Sequence, residues 1–372
     1  MRVPRITNTN ATLSHSEPVS HDQPKDLTAF SCPVPLPARE RILLGHGSGG
    51  KLSADLLQQI FLPALGNPVL NRLEDQAIVS LDGVRLAVTT DSFVVKPLFF
   101  RGGDIGSLAV HGTINDLAMG GAEPLWLSAA FILEEGLPLE ILKRVVASMH
   151  KAAANAGVSI IAGDTKVVEK GSADGLFINT TGIGRVRDGV SLSANQAQPG
   201  DIIIVSGFLG DHGIAILAER EGLQFETQVT SDSASLHTLV AHLFNATQEI
   251  HCLRDPTRGG LSSTLNEIAG SSHVGMELDE TAIPVREEVR GACEMLGLDP
   301  LYVANEGKLV AIVAPSAAQN ALQALQSHPL GKDAAVIGRV TTEHPRMVVM
   351  RTPLGTTRIV DMLAGDQLPR IC

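Results

Sequence analysis

The sequence predicts a mixed α/β chain whose sheets are covered by helices. Two observations carry that expectation. From residue 41 onward, short apolar runs alternate with segments whose apolar residues recur every three or four positions. A turn-rich, uncharged stretch at 191–200 then precedes a strongly apolar run at 202–206, after which the mixture begins again. Two α/β halves are therefore expected, and 372 residues with 44% hydrophobic content suffice to fill two cores of ~150 residues each.

Taken in order, residues 1–40 hold six of the chain's 20 prolines and a single Phe, and are predicted to be a flexible extension. They contain no apolar run followed by a small-residue cleavage site, so no secretory signal is expected. A very short strand is read at 42–44, and longer ones at 85–90, 125–133, 158–162 and 176–183. The clearest helix is 138–156, where Leu139, Leu142, Val146, Met149 and Ala153 form one apolar stripe. In the second half, helices are expected near 211–220, 259–269, 285–296 and 316–327. Strands are expected at 202–206, 309–314, 334–340, 346–350 and 356–360. Nothing near the C-terminus can hold a regular element. The predicted organisation is an extension at 1–40, an N-terminal domain at 41–190, a C-terminal domain at 191–360 and a mobile tail at 361–372.

Composition excludes several functions. Lys and Arg number 29 against 40 Asp and Glu, giving −11, and residues 1–40 are balanced, so the excess lies on 41–372. An acidic chain with one Trp, one Tyr and ten Phe is a poor nucleic-acid binder. The longest stretch without Asp, Glu, Lys or Arg, 309–331, carries Gln319, Asn320, Gln323, Gln326 and His328, which argues against a membrane span. The four cysteines, Cys32, Cys252, Cys293 and Cys372, are scattered with no C-x-x-C pair, so neither zinc nor a disulfide framework is indicated and a reducing, cytoplasmic location is expected.

The cluster Gly45-His46-Gly47-Ser48-Gly49-Gly50-Lys51 fits two phosphate-binding patterns at once. As a P-loop it lacks the metal-binding hydroxyl, since Leu52 follows Lys51; as a dinucleotide loop it lacks a long leading strand. A plain entry turn is equally compatible. More informative are carboxylates expected at loop or element ends: Glu74-Asp75, Asp91, Asn115-Asp116, Gly163-Asp164-Thr165-Lys166 and Arg254-Asp255-Pro256-Thr257-Arg258-Gly259-Gly260. Each alone reads as a turn or cap. Together they have the composition that magnesium-polyphosphate chemistry needs. Asn305-Glu306-Gly307-Lys308 is a further charged turn. The last residue, Cys372, is either an incidental thiol or the tip of a swinging arm, since about nine flexible residues could span on the order of 25–30 Å.

These motifs, with Pro97-Leu98-Phe99-Phe100, Gly102-Gly103-Asp104-Ile105-Gly106 and the ending Pro369-Arg370-Ile371-Cys372, resemble the HypE family of hydrogenase maturation proteins, in order from residue 41 to 372. That family belongs to the superfamily of aminoimidazole ribonucleotide synthetase and selenophosphate synthetase. Arg101 stands where the family commonly has Pro, and residues 1–40 lie outside the pattern. The resemblance implies two α/β domains, the N-terminal ones pairing into a β-barrel across a homodimer, with ATP near the interface. It implies that the carbamoyltransferase HypF loads Cys372, that ATP drives dehydration of the S-carboxamide to an S-cyanide, and that the cyano group passes to iron on HypC–HypD.

By the same resemblance Asp75, Asp91, Asp116 and Asp255 hold Mg²⁺ and phosphate, and Gly47, Gly49, Gly50, Asn115, Asp164 and Thr165 contact nucleotide. Lys166 is the expected charge stabiliser and Glu306 the expected proton acceptor. The competing reading is a related ATP-dependent enzyme, selenophosphate-synthetase-like or amidine-forming, acting on a free small molecule. It leaves Cys372 without a use.

Overall fold

The computed structural model describes residues 41–222 and 229–365; the predicted extension at 1–40 and Cys372 lie outside the described residues. After one 3₁₀ turn at Leu44–Gly47, where a strand was expected from 42, come α1 (Lys51–Leu56) and α2 (Leu62–Leu65). The first half continues with β1 (Ala77–Leu81), β2 (Val84–Phe93), β3 (Phe99–Phe100), β4 (Gly103–Asp104), α3 (Ile105–Met119), β5 (Ala122–Glu134), α4 (Leu139–Asn155), β6 (Ser159–Val168) and β7 (Leu176–Val186). The second half holds β8 (Ile202–Val205), α5 (Asp211–Glu221), α6 (His237–Ala246), β9 (Ile250–Arg254), α7 (Gly260–Ser272), β10 (Gly275–Asp279) and α8 (Glu287–Leu296). It closes with β11 (Val310–Val313), α9 (Ala318–Ser327), β12 (Ala335–Thr341), β13 (Val348–Arg351) and β14 (Thr357–Ile359).

Each half builds one large sheet. The first has five strands in the order β1-β2-β7-β5-β6, and the second has seven in the order β14-β13-β10-β12-β8-β11-β9. Within the first sheet only β5 and β6 run parallel.

Helix α3 covers the inner face of that sheet. Twelve of its fifteen residues are buried, so it carries no one-sided apolar stripe, and this is why periodicity did not reveal it. Asp104 caps it, accepting from the amides of Gly106 and Ser107 at 2.7 and 3.2 Å. Gly106 lets α4 press against α3: a Cβ there would stand 2.4 Å from the Val145 carbonyl. That approach also sets which face of α4 is buried. Val145, Met149, Ala152 and Ala153 turn inward, whereas Leu139 and Val146 of the predicted stripe are exposed.

The halves share their cores. Ala118 and Met119 pack with Leu239 and Leu243, and Ile216 and Ala304 join Phe93 and Ile105. Accordingly the described residues fall within one compact unit. The outer face of the first sheet, by contrast, leaves Trp126, Ile132 and Val84 exposed. Among the described residues no helix is long and apolar enough to cross a membrane.

Candidate active site

Five acids gather where the two halves meet. Asp75 precedes β1, Asp91 lies on the helix-covered face of β2, Asp116 on α3, Asp255 in the turn after β9 and Glu306 in the turn before β11. The sheet register explains the first pairing: Thr89 and Asp91 share the buried face with Phe93, and the Thr89 hydroxyl lies 2.7 Å from Asp116 Oδ2.

Their electrostatics follow from crowding in a desolvated place. Burial is the largest cause raising the pKa of Asp75, Asp91, Asp116, Asp255 and Glu306. The neighbouring acids add to it: Asp91, Asp255 and Asp75 push Asp116 up, while Asp255, Asp232 and Asp91 push Glu306 up. Two arginines oppose them. Arg254 pairs with Asp75 through Nη1 and donates to the Leu73 carbonyl at 2.8 Å, while Arg258 lowers the pKa of Asp91 and Glu306. Charge is left over. Asp75 Oδ2 and Asp255 Oδ2 are buried without a partner. Such oxygens are suited to a cation or to a phosphate's metal.

Among the described residues no group of three or more His, Cys, Asp or Glu stands ready to hold a bare ion.

Other predicted residues are placed differently. Asn115 is fully buried, and its amide donates to the carbonyls of Ala234 (3.1 Å) and Glu306 (3.3 Å) while its Oδ1 accepts from the Leu236 amide (2.8 Å). It staples the strap 231–236 to the Glu306 turn. Asp232 accepts from the Glu306 amide at 3.0 Å and meets Lys308 at 3.1 Å, a contact no sequence pattern pointed to.

The glycine loop is likewise committed to protein: the Gly49 amide donates to Ser53 Oγ at 3.0 Å, and the Lys51 amide to the Leu363 carbonyl at 2.8 Å. Gly49 has φ +74°, and a Cβ on it would meet the Arg258 carbonyl at 2.6 Å; on Gly50 it would meet the Leu363 carbonyl at 2.2 Å. Gly47 alone faces open space there.

The largest departure concerns Asp164, Thr165 and Lys166. They were expected at an element end but lie inside β6, an edge strand, with exposed side chains. Register across the sheet runs Ser92, Asn179, Ala130, Asp164, whereas Asp91 aligns with Thr180, Ala129 and Gly163. Asp164 and Lys166 therefore lie three strands from β2, about 14 Å, and on the opposite face from Asp91. Within one chain Lys166 does not join Glu306. Its ammonium instead pairs with Asp164 at 2.8 Å, which holds that carboxyl below its ordinary pKa.

Residues 73–186 match the family model of the AIR synthase related protein N-terminal domain, and 198–350 match its C-terminal domain. The chain is 58% identical to carbamoyl dehydratase HypE of Azotobacter vinelandii, covering 88% of this chain and 96% of the relative. It is 48% identical to carbamoyl dehydratase HypE of Escherichia coli (strain K12), covering 89% and 99%. The chain belongs to the HypE family. Crystal structures of HypE agree: HypE in complex with ATP superposes with a TM-score of 0.76 at 53% identity, covering 89% of this chain and 100% of that one. A HypE–HypF complex gives 0.79 at 51%, covering 83% and 99%. A ThiL structure at 20% identity and TM-score 0.64 shares the fold.

Proposed function

We propose that this chain is the carbamoyl dehydratase of hydrogenase maturation, converting an S-carbamoyl group on Cys372 to an S-cyanide at the expense of ATP. One observation carries the reading: the undercompensated acid cluster lies beside the segment that runs on in sequence to Cys372. The Asp255 turn runs through Arg258 into α7, and Ser262 of that helix donates to the Asp361 carbonyl at 2.6 Å. Residues 366–372 are long enough to span about 24 Å when extended.

The chemistry asks for what is present. An amide oxygen leaves poorly, so it attacks the γ-phosphorus, breaking the bond to ADP and forming a carbon–oxygen–phosphorus link. Loss of both nitrogen protons with cleavage of the carbon–oxygen bond then yields nitrile and phosphate. Asp75, Asp91, Asp116 and Asp255 would hold Mg²⁺, which when bound neutralises phosphate charge. Glu306, buried and with its pKa raised, is a stronger base than an exposed carboxylate and accepts a nitrogen proton. Arg258 supplies fixed positive charge nearby.

Lys166 enters only if a second copy brings it. A homodimer covering the exposed outer face of the first sheet would do this, and it would give Trp126, Ile132 and Val84 a partner. HypF then loads the thiol, HypC–HypD receive the cyano group, and the setting is the cytoplasm. The test is to add Mg-ATP to S-carbamoylated protein and weigh the C-terminal peptide. Loss of one water with release of ADP and phosphate is expected; ATP turnover with an unchanged peptide would exclude the reading.

A further inference from the structure

The expected mobile tail does not begin at residue 361. Residues 360–365 are held on two sides. From α7, Asn266 donates to the Val360 carbonyl at 2.9 Å and Ser262 to the Asp361 carbonyl at 2.6 Å. From the glycine loop, Lys51 Nζ pairs with Asp361 Oδ2 at 2.5 Å, and its amide donates to the Leu363 carbonyl at 2.8 Å. Ser48 Oγ lies 3.4 Å from the Gly365 carbonyl. Gly50 permits this contact, since any Cβ would strike Leu363. The loop that sequence patterns mark for phosphate is thus closed on the strap that leads to Cys372.

We propose that Lys51 and Asp361 are positioning residues for the dehydration: their ion pair clasps the root of the C-terminal arm and sets where the arm pivots. The inference rests on the dehydratase reading and adds a geometric requirement to it. Seven residues separate Gly365 from the chain end in the sequence and twelve separate Val360 from it, so holding the root at 361–365 shortens the tether between the last anchored residue and Cys372 from twelve residues to seven. A shorter tether concentrates the thiol at the site, and the gain from length alone is about twofold, since effective concentration falls roughly as the −3/2 power of length. Directional anchoring next to Arg258 adds to that, because Gly49 packs on Arg258 and Gly259 on Gly49. The same contacts mean that the loop cannot move toward a nucleotide without moving the root of the arm. Both side chains are partly exposed, at 36% and 56%, so breaking the pair leaves the fold in place.

The experiment uses the full S-carbamoylated chain in single turnover with Mg-ATP, following water loss by mass. Asp361→Asn and Asp361→Lys are expected to slow the first-order conversion by about three- to tenfold, with the ATP concentration for half-maximal rate unchanged. The swap Lys51→Asp with Asp361→Lys is expected to return to within about twofold of the parent. Thermal melts report folding of each variant. Conversion at the parental rate in Asp361→Asn, or a swap as slow as the single changes, overturns the clasp. Failure of the parent itself to lose water overturns the dehydratase reading instead.

Discussion

Asp91 on β2 and Asp164 on β6 sit almost level in the same sheet, yet they occupy opposite physical worlds. Asp91 faces the helices, where burial raises its pKa against the lowering effects of Arg258 and of its hydrogen bond with Asp116. Asp164 faces solvent, and its hydrogen bond from Lys166 lowers its pKa. Strand parity separates them: residues of alternate parity point to opposite faces, so adjacent register rows carry unrelated environments. The buried group is strained by repulsion until a cation and phosphates arrive. The exposed pair is satisfied, and the place proposed for it in the chemistry would need a second copy.

The largest expected effects lie on the buried side. Asp91→Asn and Glu306→Gln should each lower single-turnover dehydration by at least about a hundredfold, through lost phosphate positioning in one and lost proton transfer in the other. They should differ in nucleotide binding. Calorimetry is expected to show weakened Mg-ATP binding for Asp91→Asn and near-parental binding for Glu306→Gln. Equal binding losses in both would erase the division of labour between them.

On the exposed side, Lys166→Ala is expected to cost about ten- to a hundredfold, and the informative measurement is complementation. If each site takes Asp91 from one chain and Lys166 from the other, mixing inactive Asp91→Asn with Lys166→Ala chains gives half mixed dimers, each with one intact site. About a quarter of parental activity should therefore return. No recovery after subunit exchange would place both residues' roles within one chain, against the geometry of β6. A smaller effect on assembly is expected from Ile161→Lys, a charge on the exposed edge strand. It should shift the chain toward monomer by analytical ultracentrifugation at low micromolar concentration while the melting temperature stays close to the parent's.

Much of this was readable in advance, for reasons that differ by element. Strands β2, β5 and β7 and helix α4 each have one covered face, and an amphipathic period is what sequence records. Helix α3 is covered all round, so no period was there to read. The sequence could name acids near turns but not that they meet; Asp75, Asp91, Asp116, Asp255 and Glu306 do feel one another's charge. The hydrogen bonds of Asn115 to Ala234, Glu306 and Leu236 were not legible, because an amide looks alike in sequence whether it binds ligand or staples a strap. The Asp164-Thr165-Lys166 run was misplaced because Gly163 and Asp164 resemble a turn, whereas pairing with β5 draws them into an edge strand. The arginines Arg254 and Arg258 stood in a quoted motif, but their role as counter-charge shows only when the fold brings Asp75 and Asp91 to them.

The smallest expected effect carries the comparison into pH dependence, where the two regions have opposite signs. For the buried acids the folded pKa lies above the unfolded value near 4, so protonation favours the folded state. Their contribution is full below about pH 4 and is lost as pH rises through the raised pKa values. For Asp164 the folded pKa lies below the unfolded one, so its contribution is present above about pH 4 and lost only as pH falls through the lower value. Between pH 5 and 8 Asp164 adds nothing, while burial pushes Glu267 up to about 7, in the same sense as the cluster, and pushes His111 down to about 4 and lowers His237 and His328, in the opposite sense. The cluster's own contribution is a melting temperature that falls as pH rises, read by comparing nucleotide-free, metal-free parent with variants. Asp116→Asn should flatten that slope by removing one of the repelling charges, and saturating Mg-ATP should do the same by neutralising the cluster. Lys166→Ala should leave the slope alone. An Asp116→Asn slope equal to the parent's in the nucleotide-free protein would mean that the acids are already compensated, and the case for a cation at Asp75 and Asp255 would fall with it.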